Sequence, residues 1–537
     1  MKNKSLHFLV VILHLLMTGC ADKEIDFVFP EPMILSMTDE TALTLVQEPG
    51  KIINVPLNVQ AASGLESLVV YLGAERYDEV SYTNNELSAT YDFKFNVAAD
   101  ASLGTVYDFV VTLTDKIGRS TSFPITVSVD ATYTITVETV SGKEVSVIQG
   151  KINGDFHFER EKTYVVAGTL AVEDGGTLTI DAGSTVYFRT SADNAVNSRL
   201  VIARGSRIQA TGTAAAPIVL TSEKVLRGEN PSFDDWGGLF LFGAAPTNRG
   251  SNVVEDGFVY GGSATTESSG RLRYVRIEYA GKDDYHALNL FGVGSATGID
   301  HVQVFQCQNN AFRIRGGRVN LRYIAAIDHG GYGLWADEGW QGKGQFWLFQ
   351  TNIPATLVPR NFWNQARSLE LRNHDSFYDS SPRTTFQIAN VTLIGNGEGT
   401  TDGTRRGARV RRGAIGQLRN LIVAHFPSDA VRVEDLPVEV LGGEMVLDNV
   451  RAFRSATNYA QEAESVFFQS GLYDVTEDVV SGIARDNYVG SVASAFNPQE
   501  LDPWFIAADY IGAVQHTNND WTRQGVWFKN RDGSIRE

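Results

Sequence analysis

Residues 170–188 read LAVEDGGTLTIDAGSTVYF, in which three short apolar stretches are separated by glycine-containing turns. Alternation of apolar and polar residues over such a length predicts β-strands with one buried face. Three strands within about 24 residues make one coil of a three-sided solenoid, a repeat architecture. The apolar pairs recur every eight residues: Leu170 and Val172, Leu178 and Ile180, Val186 and Phe188.

A recurring asparagine further along the chain indicates the same architecture. Asn390, Asn420 and Asn449 each precede a short apolar run, at spacings of 30 and 29 residues. Stacked coils place such residues one above the other, where asparagine tolerates a tight turn and hydrogen-bonds its neighbours. The 51 glycines also suit a chain that turns many corners. We therefore predict an all-β protein with a parallel β-helix over residues 151–500; a sandwich or propeller is the alternative, since both also contain short strands and turns.

Residues 28–131 show a different pattern, with longer alternating runs such as residues 91–97 and 107–113. About 100 residues of this kind predict a β-sandwich. The final strands, joined by the turn DKIG at residues 115–118, resemble the end of a bacterial immunoglobulin-like domain. No cysteine pair is present in this segment, so the resemblance is to the sandwich class, and we expect the domain to act as a spacer. Residues 132–150 are expected to form a connector and residues 501–537 a C-terminal cap.

The first 19 residues have the features of a secretory signal peptide. Lys2 and Lys4 precede an apolar run from residue 6 to residue 17, and the segment LMTGC then ends at Cys20. This ending resembles a bacterial lipobox, which predicts lipidation of Cys20 with palmitate and a tether over residues 20–27. An ordinary secreted protein with an incidental cysteine is the alternative. The acidic stretch ADKEID after Cys20 resembles the signal that sends Bacteroidota lipoproteins to the outer face of the outer membrane, with the periplasmic side as the other option.

The overall charge excludes several classes of function. With 63 acidic and 46 basic residues the chain carries a formal charge of −17, which repels phosphate backbones and argues against nucleic acid. The Gly-x-Ser-x-Gly, His-Glu-x-x-His and phosphate-binding loop motifs are all absent from the sequence. We therefore expect no nucleotide and no cofactor.

The succession of segments along the larger domain resembles a known group of proteins. The group comprises uncharacterised Bacteroidota surface lipoproteins with a right-handed parallel β-helix, often mislabelled as transporters. What this resemblance implies is the fold and the surface location, because the group has no settled chemistry. The matching segments include KTYVVAG at 162–168, GSRIQATGT at 205–213, DWGG at 235–238, EGWQGKGQF at 338–346 and YIGA at 510–513.

The resemblance also bears on metal binding. Family members carry paired acids at two places where this chain has Asn309-Asn310 and Asp328-His329, and acids remain only at Asp337 and Glu338. Calcium requires six to eight oxygen ligands, several of them carboxylates. Asp337 and Glu338 are thus the remaining calcium candidates, and the departure predicts a weakened or lost ion site.

An aromatic cluster is the first candidate for ligand contact. Flat aromatic faces stack on sugar rings and also anchor protein interfaces. The segment 351–385 interrupts the coil pattern, so we predict a loop there, with Tyr378 on the contact surface. The alternative is that the rings stack inside the coils. The clustered tryptophans are Trp335, Trp340, Trp347 and Trp363.

An arginine strip is the second candidate. Five arginines in eight residues could bind uronate or sulfate groups, whose geometry matches the guanidinium fork. Pairing of these arginines with acids on adjacent coils is the alternative. The strip consists of Arg405, Arg406, Arg409, Arg411 and Arg412.

These features lead to a hypothesis about function. We expect an outer-membrane lipoprotein that is not an enzyme and that binds a glycan or serves an outer-membrane complex, such as a TonB-dependent transporter assembly. A polysaccharide lyase or glycoside hydrolase is the alternative, since β-helices often degrade polysaccharides. Asp283, Asp284 and His286 are the candidates for that chemistry, but the Arg-x-Lys pattern of β-helix hydrolases does not follow them.

Overall fold

The computed structural model divides into two compact units, Met1–Thr132 and Tyr133–Glu537. The signal peptide, Cys20 and Trp363 lie outside the described residues, so the predictions made for them stay predictions. The structure describes residues 33–36, 42–130, 132–190, 197–351, 367–397, 405–436, 443–459, 466–471 and 473–537.

The first unit is a β-sandwich, with eight strands in the part that the structure describes: β1 (Ile34–Ser36), β2 (Leu43–Gln47), β3 (Ile52–Gln60), β4 (Leu65–Leu72), β5 (Glu75–Ser81), β6 (Ser88–Asn96), β7 (Val106–Asp115) and β8 (Ser120–Val129). One sheet has the order β1-β3-β6 and the other β2-β8-β7-β4-β5, with β2 parallel to β8. Every second residue of β3 is buried, and both sheets contribute to one apolar core around Phe93 and Phe109. Two sheets around one core agree with the immunoglobulin-like sandwich expected from the sequence.

The second unit is built almost entirely of short strands. Among its described residues the helices are α1 (Glu223–Arg227), α2 (Val466–Gln469) and three 3₁₀ turns at Pro498–Glu500, Thr517–Asn519 and Trp521–Arg523. In the part of the chain that the structure describes, no helix has the length and apolar character needed to cross a membrane. The strands are β9 (Tyr133–Val140), β10 (Lys143–Asn153), β11 (Phe156–Phe158), β12 (Tyr164–Glu173), β13 (Thr177–Ile180), β14 (Thr185–Phe188), β15 (Arg199–Ile202), β16 (Arg207–Thr211), β17 (Ile218–Ser222), β18 (Gly238–Phe242), β19 (Val253–Glu255), β20 (Phe258–Tyr260), β21 (Gly270–Glu278), β22 (Leu288–Phe291), β23 (Gly298–Cys307), β24 (Phe312–Arg315), β25 (Asn320–His329), β26 (Leu334–Asp337), β27 (Lys343–Gln350), β28 (Arg367–Arg372), β29 (Thr385–Ile394), β30 (Arg406–Arg411), β31 (Ile415–Ala424), β32 (Asp429–Val433), β33 (Met445–Phe453), β34 (Thr457–Tyr459), β35 (Tyr473–Thr476), β36 (Val492–Ala493) and β37 (Tyr510–Ile511).

Parallel pairing between coils makes this unit a parallel β-helix with three faces. Face 1 consists of β15, β18, β22, β24, β26, β28, β30, β32 and β34. The long strands from β21 to β33 bend, so that their first halves form face 2 and their second halves face 3. Residues 170–188 supply three successive strands, as their spacing predicts. The connector expected at residues 132–150 instead forms the antiparallel hairpin β9–β10, whose second strand pairs in parallel with β12 of the first coil.

The corner between faces 2 and 3 is a column of residues with left-handed backbone. Asn390, Asn420 and Asn449 have φ of 55°, 59° and 54°, which confirms the predicted tight turn. On earlier coils the same corner is occupied by Tyr274, His301, Tyr323 and Phe346, also at positive φ. Successive rings in this column stack at centroid distances of 4.4, 4.4 and 4.7 Å.

The last part of the chain lies along this corner rather than across the end of the solenoid, where a cap was expected. Gln345 exchanges two hydrogen bonds with the backbone of Ile506, and Gln303 does the same with Lys529, at 2.7–2.9 Å. Asn390 donates to the Tyr510 carbonyl at 2.7 Å. Apolar residues of this segment form one buried cluster with the outer side of face 3. The segment therefore keeps water from a face that would otherwise expose apolar side chains.

Replacement of Asn420 tests the corner. Its side chain donates to the Phe496 carbonyl and accepts from Ser494, while its backbone has φ of 59°. We expect Asn420→Ala to destabilise the β-helix by about 2–4 kcal/mol, since it loses both hydrogen bonds and strains the left-handed residue. Asn420→Gly is the control, because glycine adopts this φ freely and should cost less. Urea denaturation midpoints check this; equal losses in both variants would contradict the role of backbone strain.

Candidate functional site

The outward side chains of face 1 change from aromatic to charged along the solenoid. Phe242 of β18 is in register with Phe291 of β22, and Phe291 with Arg315 of β24. Arg315 is in turn opposite Asp337 of β26, and Arg372 of β28 is opposite Arg411 of β30. A second outward row lies two residues earlier in each strand. It consists of Asn289, Arg313, Trp335, Glu370, Arg409 and Arg432.

The aromatic part of face 1 is covered by the antiparallel pair β19–β20, here called the cover hairpin. Phe258 stacks on Phe242, and Tyr260 packs on Phe291, each with ring centroids 5.4 Å apart. Two ion pairs attach the hairpin to the solenoid: Asp256 to Arg199 at 3.0 Å, and Glu255 to Arg315 at 2.6 Å. Phe242, Phe291 and Tyr260 are consequently buried.

The residues before the cover hairpin form a wall along the corner between faces 1 and 2. Ala245 donates to the Gly292 carbonyl, and Gly317 donates to the Pro246 carbonyl. Asn248 donates from its backbone to the Glu338 carbonyl and from its side chain to the Asn373 amide oxygen, both at 2.9 Å. Close approach requires glycine at 317, where φ is 76° and a Cβ would lie 2.4 Å from the Val293 carbonyl oxygen. This wall therefore crosses several coils.

Beside the wall lies a compact set of charged side chains around Trp335. Arg313 donates two hydrogen bonds to the Asp337 carboxylate, at 2.8 and 2.9 Å. The indole ring of Trp335 has Arg313 at 3.8 Å and Arg372 at 4.0 Å from its centroid, so guanidinium groups cover it. We call the following residues the arginine site: Arg249, Arg313, Arg315, Trp335, Asp337, Glu338 and Arg372.

Glu338 is a buried acid of this site with a perturbed pKa. It accepts a hydrogen bond from the Tyr260 hydroxyl at 2.7 Å, and Arg249 and Arg315 lie 3.6 and 3.8 Å away. Burial, reinforced by the neighbouring Asp337, raises the pKa of Glu338 above its ordinary value. A carboxyl group that keeps its proton to higher pH meets the requirement for a proton donor.

Further along face 1, arginines surround two acids. Glu370 lies 2.6 Å from Arg411 and 3.2 Å from Arg367. Asp375 lies 2.9 Å from Arg372 and also contacts Arg412. Although its partial burial acts in the opposite direction, these two arginines lower the pKa of Asp375. The face thus combines many guanidinium groups with fewer carboxylates.

Several buried donors in the arginine site have no hydrogen-bond partner. These are Nε of Arg313, Arg315 and Arg372, and Nε1 of Trp335. A buried donor without a partner costs about 1–3 kcal/mol, so such a group is a candidate to bind a ligand oxygen. The residues of the site other than Arg372, together with Asn373, His374 and Asp375, line a cavity of about 80 Å³. That volume suits a carboxylate rather than a whole sugar ring.

Comparison with known sequences identifies the family of this chain. Residues 150–491 match a pectate-lyase-like β-helix domain. The chain belongs to this family. A comparison with curated proteins finds no match. A solved pectate lyase from Pectobacterium carotovorum is similar over 69 % of this chain and 93 % of its own, at 11 % identity and a TM-score of 0.13.

Membership of the pectate-lyase-like β-helix family corrects one prediction from the sequence. We expected that the chain is not an enzyme. That prediction is overturned, because this fold is typical of proteins that degrade polysaccharides. The absence of known catalytic motifs does not exclude an enzyme, because a solenoid can assemble a site from residues on different coils.

Two of the tryptophans predicted to bind a ligand lie inside the coils instead of on the surface. Trp340 and Trp347 are fully buried inside the β-helix. Their indole nitrogens donate to the carbonyls of Val319 and Leu321, both at 3.0 Å. Both side chains point inward and stack with each other at 6.5 Å, so neither can contact a ligand. The alternative, stacking inside the coils, is correct for this pair.

The other predicted aromatic residues have mixed outcomes. Trp335 is half-buried, but its ring is covered by arginines and is not free to stack on a sugar. Tyr378 is 40 % exposed on the loop that follows Asn373, beside the arginine site, so its contact with a ligand stays a prediction. Trp363 lies outside the described residues. The loop predicted at residues 351–385 also contains strand β28, because residues 367–372 continue face 1.

The arginine strip is engaged within the protein. Arg405 is buried and donates to the carbonyls of His329 and Gly330 at 3.2 Å, so its prediction as a ligand-binding residue is wrong. On adjacent coils, Arg406 pairs with Asp429, Arg409 with Glu434 and Arg411 with Glu370. The alternative of ion pairs between coils is therefore the correct one for these three.

The two calcium candidates do not fit a cation. Asp337 is held by both nitrogens of the Arg313 fork, and Glu338 is near Arg249 and Arg315. Positive charge at these positions opposes binding of calcium. Within the described ranges no group of three or more His, Cys, Asp or Glu residues is arranged to hold a metal ion. The sequence predicts a weakened or lost ion site here, and the arginines beside Asp337 and Glu338 make these acids poor calcium ligands.

The arginines at the centre of the site are not among the residues that the sequence predicts to bind a ligand. Arg313 and Arg315 alternate with apolar residues in the segment FRIR, and Arg372 ends the segment LELR. Alternation of this kind places arginines on the outer side of a strand. The sequence does not show that β24, β26 and β28 are neighbours on one face, and this arrangement brings the arginines together.

Asp337→Asn tests whether the buried pair stabilises the site. It leaves the Arg313 guanidinium buried without its counter-charge, so we expect a loss of about 3–5 kcal/mol in unfolding free energy. The matched control is Asp256→Asn, which breaks a more exposed pair with Arg199 and should cost about 0–1 kcal/mol. Urea denaturation measures both. Equal small losses would mean that the Arg313–Asp337 pair contributes little.

Proposed function

We propose that the β-helix binds an acidic polysaccharide of the polyuronate class on face 1, through the arginine site. The observation that carries this proposal is the set of buried Nε and Nε1 donors without partners beside the cavity. Guanidinium forks match the geometry of carboxylates, and binding of the carboxylate oxygens would complete their hydrogen bonding.

The repeat of the solenoid supports a polymeric ligand. Coils of a parallel β-helix are spaced by about 4.8 Å, so equivalent side chains recur at roughly the length of one sugar unit. Arginines recur in register on successive coils of face 1, Arg372 with Arg411 and Arg409 with Arg432, although each also pairs with an acid of the protein. The description of the family also names pectate, which is a polyuronate. A row of cations along a polyanion favours association and makes it sensitive to salt.

Arg249→Gln tests the binding proposal. Arg249 lines the cavity with about half of its side chain exposed, so its replacement should not disturb folding. We expect wild-type protein to bind oligogalacturonate and the variant to bind about tenfold or more weakly, the effect of one charged hydrogen bond. Titration calorimetry at low and raised salt measures both affinities.

Arg160→Gln is the matched control, since it removes an exposed arginine outside the arginine site. It should leave affinity unchanged. Equal binding of a fully methyl-esterified oligomer, equal losses in both variants, or no binding by wild-type protein would each reject the proposal.

Cleavage of the bound polysaccharide is the second candidate function, favoured by the raised pKa of Glu338. If Glu338 donates a proton, Glu338→Gln should abolish formation of new unsaturated or reducing ends while leaving oligogalacturonate binding within about twofold. Ultraviolet absorbance and reducing-end assays on long polygalacturonate measure this. Product formation that persists in Glu338→Gln would exclude this role, and no products from wild-type protein would exclude cleavage of this substrate.

We also propose that the protein is lipid-anchored at the outer membrane, with surface exposure and a role beside a partner such as a TonB-dependent transporter. The support is sequence alone, namely the LMTGC segment and the acidic residues after Cys20. Cys20→Ser should abolish labelling with radioactive palmitate and release the protein from membranes. Retained labelling would exclude Cys20 as the acceptor. Recovery of the native protein alone in a mild-detergent pull-down would count against the partner.

A further inference from the structure

We infer that Arg372 and Arg412 form a second carboxylate position beside the cavity, and that Asp375 of the protein itself occupies this position until an acidic ligand displaces it. This inference rests on the proposed binding of an acidic polysaccharide. It adds a position for the carboxylate of a neighbouring sugar and makes Asp375 a built-in competitor of the ligand.

The acids that line the cavity differ in their exposure to water. The side chains of Asp337 and Glu338 are 6 % and 8 % exposed, whereas that of Asp375 is 59 % exposed. A carboxylate that already contacts water regains its hydration by a small movement, while a buried carboxylate would have to leave its pocket. Asp375 is therefore the acid at this cavity that a ligand displaces most easily.

Arg372 depends on Asp375 for its hydrogen bonding. Among the described residues, its side chain donates one hydrogen bond, to Asp375 at 2.9 Å, and its Nε is buried without a partner. Asp337 and Glu370 lie farther away, at 3.7 Å, and the Trp335 ring covers the guanidinium from 4.0 Å. When Asp375 leaves, Arg372 thus presents donors to an incoming carboxylate.

Arg412 completes the second carboxylate position. Its guanidinium donates to Oδ1 of Asp375, the same oxygen that accepts from Arg372. In the described part of the chain Oδ2 of Asp375 accepts no hydrogen bond, and Asp375 is the acid with which Arg412 pairs. A ligand carboxylate would place one oxygen on each arginine, and such charge-assisted hydrogen bonds are about twice as strong as neutral ones.

Displacement of Asp375 requires only a local movement. The loop that carries Asp375 is held at its base by the Asn373 side chain. Asn373 donates to the carbonyls of Tyr378 and Ser380 at 3.0 and 2.9 Å, and it accepts from the Thr384 backbone at 2.8 Å. Rotation of the Asp375 side chain into water breaks none of these hydrogen bonds, so a ligand carboxylate can replace it while the loop stays in place.

Asp375→Asn removes the competing charge and is the first test. We expect this variant to bind oligogalacturonate about three- to tenfold more tightly than wild-type protein, because Arg372 and Arg412 lose their internal anion. Titration calorimetry measures the affinities, and circular dichroism checks the fold. If Asp375→Asn is not folded, Asp375→Ser replaces it with the same expected gain. Unchanged or weaker binding by the folded variant would overturn the inference.

Asp379→Asn is the matched control for this test. Asp379 is exposed on the same loop and, among the described residues, forms no ion pair, so its replacement removes the same charge without freeing an arginine. It should leave the affinity within about twofold of the wild-type value. Equal gains in Asp375→Asn and Asp379→Asn would mean that only the net charge matters, and would overturn the inference.

Arg412→Gln in the Asp375→Asn background tests the second position directly. There Arg412 has no internal acid, so its guanidinium is a donor that only the ligand uses. We expect the double variant to bind at least tenfold more weakly than Asp375→Asn, the effect of one charged hydrogen bond. Arg160→Gln in the same background is the control and should change the affinity less than twofold. Equal affinities of the double variant and Asp375→Asn would overturn the inference.

Failure of the inference and failure of the proposed function give different results. If wild-type protein binds no oligogalacturonate, the proposed function itself is rejected. If wild-type protein binds and Arg249→Gln weakens binding, but Asp375→Asn does not tighten it, only the second carboxylate position is rejected.

Discussion

Parallel hydrogen bonding between each coil and the next determines where every side chain of the β-helix points. A shift of one residue would move the apolar residues of a strand from the interior to the surface, so one register is strongly favoured. From Leu200 to Val431, the inward positions of face 1 are in register on successive strands. The same register aligns the outward residues, which makes a row of arginines and acids out of residues far apart in the chain.

This alignment brings charged side chains close together, and ion pairs between coils neutralise much of their charge. Glu370 is fully buried and is surrounded by Arg367, Arg372 and Arg411. Burial of such charged groups loses hydration free energy, and close pairing offsets much of that loss. In the arginine site Nε of Arg313 has no hydrogen-bond partner, and the same is true of Nε of Arg409 on a later coil. Internal pairing is thus incomplete at more than one place on face 1, and the proposed anion site is the place where such donors line a cavity.

Segments outside the coils decide which parts of each face remain accessible. The chain after residue 480 covers the apolar outer side of face 3, through the amides of Gln303 and Gln345. The cover hairpin does the same for the aromatic part of face 1. Beyond the cover hairpin, β28 is buried as well, and the outward arginines of β30 and β32 are partly exposed, with Arg411 at 15 % and Arg432 at 20 %.

The sequence by itself determined the strand repeat, the two-unit organisation and the asparagine corner, because these depend on local alternation and on the φ tolerance of single residues. Only the tertiary structure decided where the aromatic residues and arginines lie and which of them contact one another. Trp335 and Trp347 are equally aromatic, yet one lies outside and the other inside the coil. Asn248 contacts Asn373, a residue 125 positions away, and no local pattern encodes that contact. The register between coils and the path of the long connections, which are cooperative properties of the whole solenoid, determine the site.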